Sequence, residues 1–254
     1  MYQLIDTHCH LDNPVFDNDR MIILEKCYQN GISNIVVPGI TAGSWKRLLK
    51  ICDANKSLFP AQGLHPLFIN NHRHEDITRL EHNICNNTIV AIGEIGLDYY
   101  NKVYDRVQQI YYFENQLSLA EKYKLPVLLH VRKAHDDILN ILTKYDLVGG
   151  IAHAYSGSYQ QALRYISLGF KLGFGGVLTY ERSTKIRTLA KELPLSSIVL
   201  ETDAPDMTVS SHKGERNSPE YLIECLDALS RIRDESMDEL ALQTTRNAKE
   251  VLSL

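Results

Sequence analysis

Eight short apolar runs, most of them rich in β-branched residues, punctuate the chain: LIDTH from residue 4, NIVVP from 34, LFPAQG from 58, IVAIGEIG from 89, PVLLHV from 126, GGIAHAY from 149, GFKLGFGG from 169 and SIVLETD from 197. Short runs of this kind, bounded by polar and turn residues, read as strands. Between them the hydrophobic period lengthens. Residues 105–124 place Val107, Ile110, Phe113, Leu117 and Ala120 at the three-or-four spacing of an amphipathic helix, and 236–252 does the same with Met237, Leu240, Thr244, Ala248 and Val251. Strands alternating with helices over 254 residues predict an α/β fold, a (β/α)8 TIM barrel forming a single domain over 1–254. That fold makes a demand: residues that do chemistry should sit at or just beyond the C-terminal strand ends. The loop-like stretch APDMTVSSHKGER, 204–216, should cover the mouth after the eighth strand.

Composition narrows the partners more than the fold. With 44% hydrophobic and 23% charged residues the chain has material for a sizeable core, which sets disorder aside. A net charge of −4 supplies no global basic field, so phosphate binding would have to be local. Five scattered cysteines without a CxxC pair fit free thiols in a reducing compartment. No signal-like N-terminus and no long apolar run is present, so a cytoplasmic protein with no membrane association is expected, and no obligate protein partner is implied.

The strand ends carry the chemistry. IDTHCHLD at 5–12 offers His8 and His10, and the later strand ends add Glu94, His130, His153 and Asp203. An isolated HxH is a weak signal, and a lone buried carboxylate is more often simply hydrogen-bonded. Imidazoles and carboxylates converging from five strand ends are harder to explain as packing. Such donors suit Zn, Mn, Fe or Ni better than Ca, and six exceed the three or so that one catalytic ion takes, so two divalent ions are expected. Strand alternation turns Cys9 away from that face into the core, while Asp6 and Glu201 share the face and could take ring N–H groups of the histidines or pair with a buried cation. His72, His74, His82 and His212 fall in helix or loop contexts and are expected to be solvated.

In this order the residues resemble the TatD family of metal-dependent hydrolases, TatD-type deoxyribonucleases within the metal-dependent amidohydrolase barrels. The resemblance covers nearly the whole chain and rests on DTHCHLD, GLHP at 63–66, AIGEIGLDYY at 91–100, HVRKAHDD at 130–137, HAYSGS at 153–158, LETDAPD at 200–206 and an N-x-P element, Asn217 to Pro219. It implies a two-metal site of His8, His10, Glu94, His130, His153 and Asp203, with Glu94 as bridge, two ions such as Zn, Mn or Mg, and a substrate contact from Asn217. HVRK stands where the family often has HSRD, and HAYSGS where it often has HCFSGS. These departures, with GGVLTYERSTKIR at 175–187, resemble a less characterised subgroup, and they make Lys133 and His135 candidates for altering the substrate.

The expected reaction is phosphodiester hydrolysis by a water that two metal ions activate, with Asp203 as proton acceptor and Glu94 as its catalytic companion. Around the mouth, His65, Tyr99, Tyr100, Arg132, Lys133, Arg182, Lys185, Lys213 and Arg216 lie on or near loops after strands. His65, Arg132 and Tyr99 are the expected substrate contacts, Arg132 as a bidentate phosphate fork and Tyr99 as a stacking platform. Without a long basic groove, the end of single-stranded DNA fits better than a duplex, favouring 3′-end exonuclease action, with a small phosphoester as a further substrate. Ester or amide hydrolysis of a small molecule or an aminoacyl-tRNA end is the rival chemistry. A metal-stabilised binding protein without turnover is the rival class.

Overall fold

The computed structural model describes residues 2–100, 103 and 105–254. All eight runs form strands: β1 (Leu4–Asp6), β2 (Ile32–Pro38), β3 (Leu58–Gln62), β4 (Ala91–Asp98), β5 (Val127–Arg132), β6 (Gly150–Ala152), β7 (Phe170–Phe174) and β8 (Ile198–Leu200). Each pairs in parallel with the next, in the order β1 to β8. The circle closes past the ends of the ladders. Thr7 N–H donates to Leu200 O at 3.1 Å, Asp203 N–H to His8 O at 2.8 Å and His10 N–H to Ala204 O at 2.8 Å.

The helices are α1 (Arg20–Gln29), α2 (Trp45–Asp53), α3 (Glu75–Asn86), α4 (Arg106–Tyr123), α5 (His135–Leu142), α6 (Tyr159–Ser167), α7 (Thr184–Glu192), α8 (Leu222–Ser230) and α9 (Met237–Leu252). They wrap the strands as the (β/α)8 barrel requires. None in the described residues is long and apolar enough to cross a membrane. Inside the strands an apolar cluster draws Ile5, Val36, Ala61, Leu128, Ile151 and Val199 from six of them, joined by Val251 and Leu252 of α9. Thr245 bonds Gln3 O and Asn247 bonds Ile198 O, so α9 covers the N-terminal end of the barrel and leaves the other end open.

Helix α4 departs from its expected face. Val107 is exposed, and the inward positions include two buried glutamines. Gln116 pairs with both backbone groups of Leu64 (2.7 and 3.3 Å), and Gln109 with both of Asp98 (2.8 and 3.0 Å). Each side chain acts like an added stretch of strand, satisfying buried amides where a ladder stops. The ends of β3 and β4 are thereby fixed where they reach the mouth.

Gly96 permits the tight β4–β5 pair. Its φ is +147°, and a Cβ there would lie 1.9 Å from His130 O. Gly96→Ala is expected to cost at least about 3 kcal/mol in chemical denaturation, since backbone has to give way. Gly214, at φ +89° with open space around it, isolates the conformational part: Gly214→Ala should cost only about 1–2 kcal/mol.

Candidate metal centre

The open end of the barrel is a cup of about 590 Å³ whose floor is Glu94. Its carboxylate faces imidazoles from the ends of β1, β3, β5 and β6. On Oε1 converge His153 Nε2 at 2.8 Å, His65 Nε2 at 3.0 Å and His130 Nδ1 at 3.0 Å. On Oε2 converge His8 Nε2 at 3.1 Å and His10 Nε2 at 3.5 Å. Asp203 Oδ1 closes the group at 3.7 Å from both His8 and His10. The six expected ligands are therefore brought together, with His65 among them. A larger surface groove of about 710 Å³, between α2 and α3, includes none of these residues.

Burial would push the Glu94 carboxyl upward, but the surrounding imidazoles outweigh it and hold the group well below the usual range. His8 falls to about 3 and His65 to about 4, chiefly through burial. For His10 and His153 burial acts downward too, yet Glu94 and Asp203 raise them to about 9 and about 10.

The donor set fits divalent metal. A carboxylate oxygen has two lone pairs, yet Oε1 meets three imidazole nitrogens. Two lone pairs cannot accept three N–H groups, so a cation among these nitrogens relieves a set of donors that the carboxylate oxygen cannot satisfy alone. Three groupings hold donor atoms within 4.8 Å of one another: His8, Glu94 and His153; His8, His10 and Asp203; and His65, Glu94 and His130. The third is weakened by a tautomer argument. His65 Nδ1 accepts Leu67 N–H at 3.0 Å, so its proton sits on Nε2 and points at Glu94, leaving no lone pair there for a metal. His65 thus holds the carboxylate and also lines the cup.

Several supporting residues differ from expectation. Asp6 takes no histidine ring. It accepts His8 N–H (3.2 Å), Thr202 N–H (3.0 Å) and the Thr202 hydroxyl (2.5 Å), stitching β1 to β8, and burial raises it to about 7. Glu201 lies 3.8 Å from His153 Nδ1 while accepting Ala154 N–H at 2.5 Å, so it is the one nearest to the anticipated ring contact; burial lifts it to about 8. Asp98, which the sequence reading missed, is buried and 3.0 Å from His130 Nε2, holding the ring whose other nitrogen faces Glu94. His72 is buried rather than solvated and donates to His65 O at 2.8 Å. Cys9 packs in the core as expected.

The substrate contacts divide. Arg132 lines the cup, as does His65. Tyr99 does not: its ring lies under the Arg106 guanidinium at 4.1 Å, and burial followed by Asp137 raises its hydroxyl to about 12. Asn217 is buried and spends its amide on Thr202 O (2.8 Å) and Asp206 O (2.7 Å), which makes it a tie for the loop after β8. Pro205, Asp206 and Met207 of that loop do line the cup. His135 turns toward Tyr165 and Tyr155, at 5.8 and 5.4 Å between ring centres.

Residues 5–253 match the protein family described as TatD related DNase. The chain is 38% identical over 248 residues to an uncharacterized metal-dependent hydrolase of Escherichia coli K12, YjjV, covering 96% of each chain. It is 31% identical over 253 residues to an uncharacterized metal-dependent hydrolase of Bacillus subtilis, YabD, covering 99% of each. The crystal structure of YjjV, a TatD homolog, superposes with a TM-score of 0.96 at 37% identity, covering 99% of this chain and 98% of that one.

Proposed function

We propose, on the premise that this chain belongs to the TatD related DNase family, that it is a metal-dependent hydrolase cutting phosphodiester bonds at the end of a single nucleic-acid strand. One observation carries the reading: Glu94, at the floor of a cup that Arg132 lines, faces five imidazole nitrogens and no lysine or arginine among the described residues. His8, His10 and Asp203 would supply one side of a two-ion centre and His130 and His153 the other, with Glu94 touching both. Ions bound there supply acidification of a water and withdrawal of charge from a phosphoryl oxygen.

The remaining roles belong to the chain. Asp203 takes the proton of the attacking water from its place on the cup wall. Arg132, with a planar fork and no carboxylate within ion-pair distance among the described residues, orients the phosphate. His65 and Asp98 hold Glu94 and His130 in place. A cup of about 590 Å³ admits a nucleotide-sized group and is too small for a duplex, which favours a strand end, the 3′ end in our reading.

Purified protein is expected to carry close to two divalent ions per chain and, with Mg, Mn or Zn supplied, to shorten end-labelled single-stranded DNA. It should also hydrolyse a phosphodiester chromogen faster than a carboxyl-ester chromogen. Faster ester turnover would reassign the cup to carboxyl chemistry. Metal-loaded protein inert on the whole panel would reassign it to binding without turnover.

A further inference from the structure

The cations around the mouth are unequally neutralised. On the side of β1 and β8, Arg20 is 2.6 Å from Asp17, Arg47 bonds the same carboxylate, and Arg216 is 2.5 Å from Asp19. On the side of β5 and β7 the picture reverses. Arg132 and Lys133 lie over the exposed Tyr100 ring at 3.7 and 4.8 Å, and Lys185 Nζ donates to Ser156 O, on the cup wall, at 2.7 Å. None of these three lies within ion-pair distance of a carboxylate among the described residues, although the Arg132 charge adds to what holds Asp98 down. The nearby acids are engaged elsewhere: Asp98 with His130, Asp136 with Gln161, and Asp137 beside Tyr99.

We propose that Lys133 and Lys185, beside Arg132, form a phosphate-binding rim over which a single strand leaves the cup, so that the preferred substrate is an oligonucleotide and not a lone nucleotide ester. The proposal rests on the phosphodiesterase reading above and adds a direction and a second subsite to it. Two further observations support it. Lys133 has φ 55°, a left-handed conformation that a lysine adopts at a cost of about 1–2 kcal/mol, and this turn lays its side chain along Tyr100. His135, two residues on, is held down at about 4 by burial and then by the Lys185 charge, so that ammonium, fixed on Ser156 O, is felt at the helix that follows Lys133. Three like charges around one stretch of rim repel each other, and a phosphate chain is the anion whose repeat engages several at once.

The test is binding of a phosphorothioate-linked pentathymidylate, which keeps the backbone charge and resists cleavage, to metal-loaded protein by fluorescence anisotropy. Lys133→Asn keeps a residue that tolerates the left-handed turn, and Lys185→Gln keeps a donor for Ser156. The double variant is expected to bind the oligonucleotide at least tenfold more weakly at low salt. Its log K against log salt should be shallower by about 1.4, two single-strand phosphate contacts. Thymidine monophosphate, which reaches only the cup, should compete equally in both proteins. Lys213→Gln, a lysine of the β8 loop outside the rim, should bind the oligonucleotide as wild type does. Unchanged oligonucleotide affinity in the double variant overturns the rim and leaves the phosphodiesterase reading standing. Equal weakening by Lys213→Gln also overturns it, as that outcome describes a diffuse field. Wild-type protein that binds neither ligand overturns the rim and the phosphoester reading together.

Discussion

Glu94→Gln should empty the metal centre and lower phosphodiester hydrolysis at least about 10³-fold, with the barrel still folded. The substitution keeps shape and removes charge. Both oxygens of Glu94 are used by imidazoles, three on Oε1 and two on Oε2, and the groups that would bind on either side share no other acid so central. An amide with its NH2 on the Oε1 side would also meet the His65 Nε2–H, leaving a buried donor against a donor. In metal-free protein the histidines with raised affinity for protons, His10, His130 and His153, lose a carboxylate that sustains them. Breaking one partner out of such a buried set costs about 3–5 kcal/mol. Metal analysis, initial rates on the chromogen and denaturant unfolding of the metal-free protein measure the three effects separately. Wild-type metal content together with a rate within tenfold of wild type would remove Glu94 from the centre of the site.

How much of this was legible in the sequence depends on where strand alternation holds. Along β5 it holds from Leu128 to His130, and the step of two carries just past the ends of β6 and β8, from the interior residues Ile151 and Val199 to His153 and Glu201; Asp203, at φ 57°, has left the strand conformation. At β1 the rule places His8 and His10 on the cup side even though the strand stops at Asp6 and both lie beyond it. The failed expectation for Asp6 comes from the same place: its carboxylate caps backbone where the ladder ends. In β4 the register shifts between Ile92 and Ile95, so counting from the interior residue Ala91 does not predict the face of Glu94. Counting onward from Glu94 does reach Asp98, a signal that was present in GLDYY and could have been used. His65, His72, Tyr99 and Asn217 sit where the backbone is irregular, and their partners are peptide groups, helix residues or buried carboxylates distant in sequence. No local period encodes such contacts. The buried glutamines of α4 escaped for a related reason: a polar residue on an inward face reads as an error in the pattern until the ladder end it completes is known.

Asp203→Asn distinguishes a proton acceptor from a ligand that merely shares the site. Asp203 follows β8 with φ 57°, its N–H donates to His8 O at 2.8 Å, and its carboxylate lies 3.7 Å from His8 and His10 on the cup wall. Asparagine tolerates that left-handed backbone as aspartate does, so the loop and its bond to His8 should survive. What changes is the capacity to take a proton. If Asp203 is the base, kcat falls about 10²- to 10⁴-fold while KM for the chromogen moves little, because the phosphate contacts come from elsewhere. The decisive arm is a metal titration. A residue that acts only as ligand would show its loss as weaker metal affinity, and a sufficient excess of Mn or Zn would restore the rate. A residue that accepts the proton leaves a deficit that persists at saturating metal, since Glu94 and the histidines still provide donors and no other described carboxylate near the cup faces its interior in the same way. Asp206, the nearest alternative on the lining, supplies the control: Asp206→Asn is expected to retain kcat within about threefold. Recovery of Asp203→Asn to wild-type turnover with added metal would confine Asp203 to holding the ion and pass the proton to another acceptor.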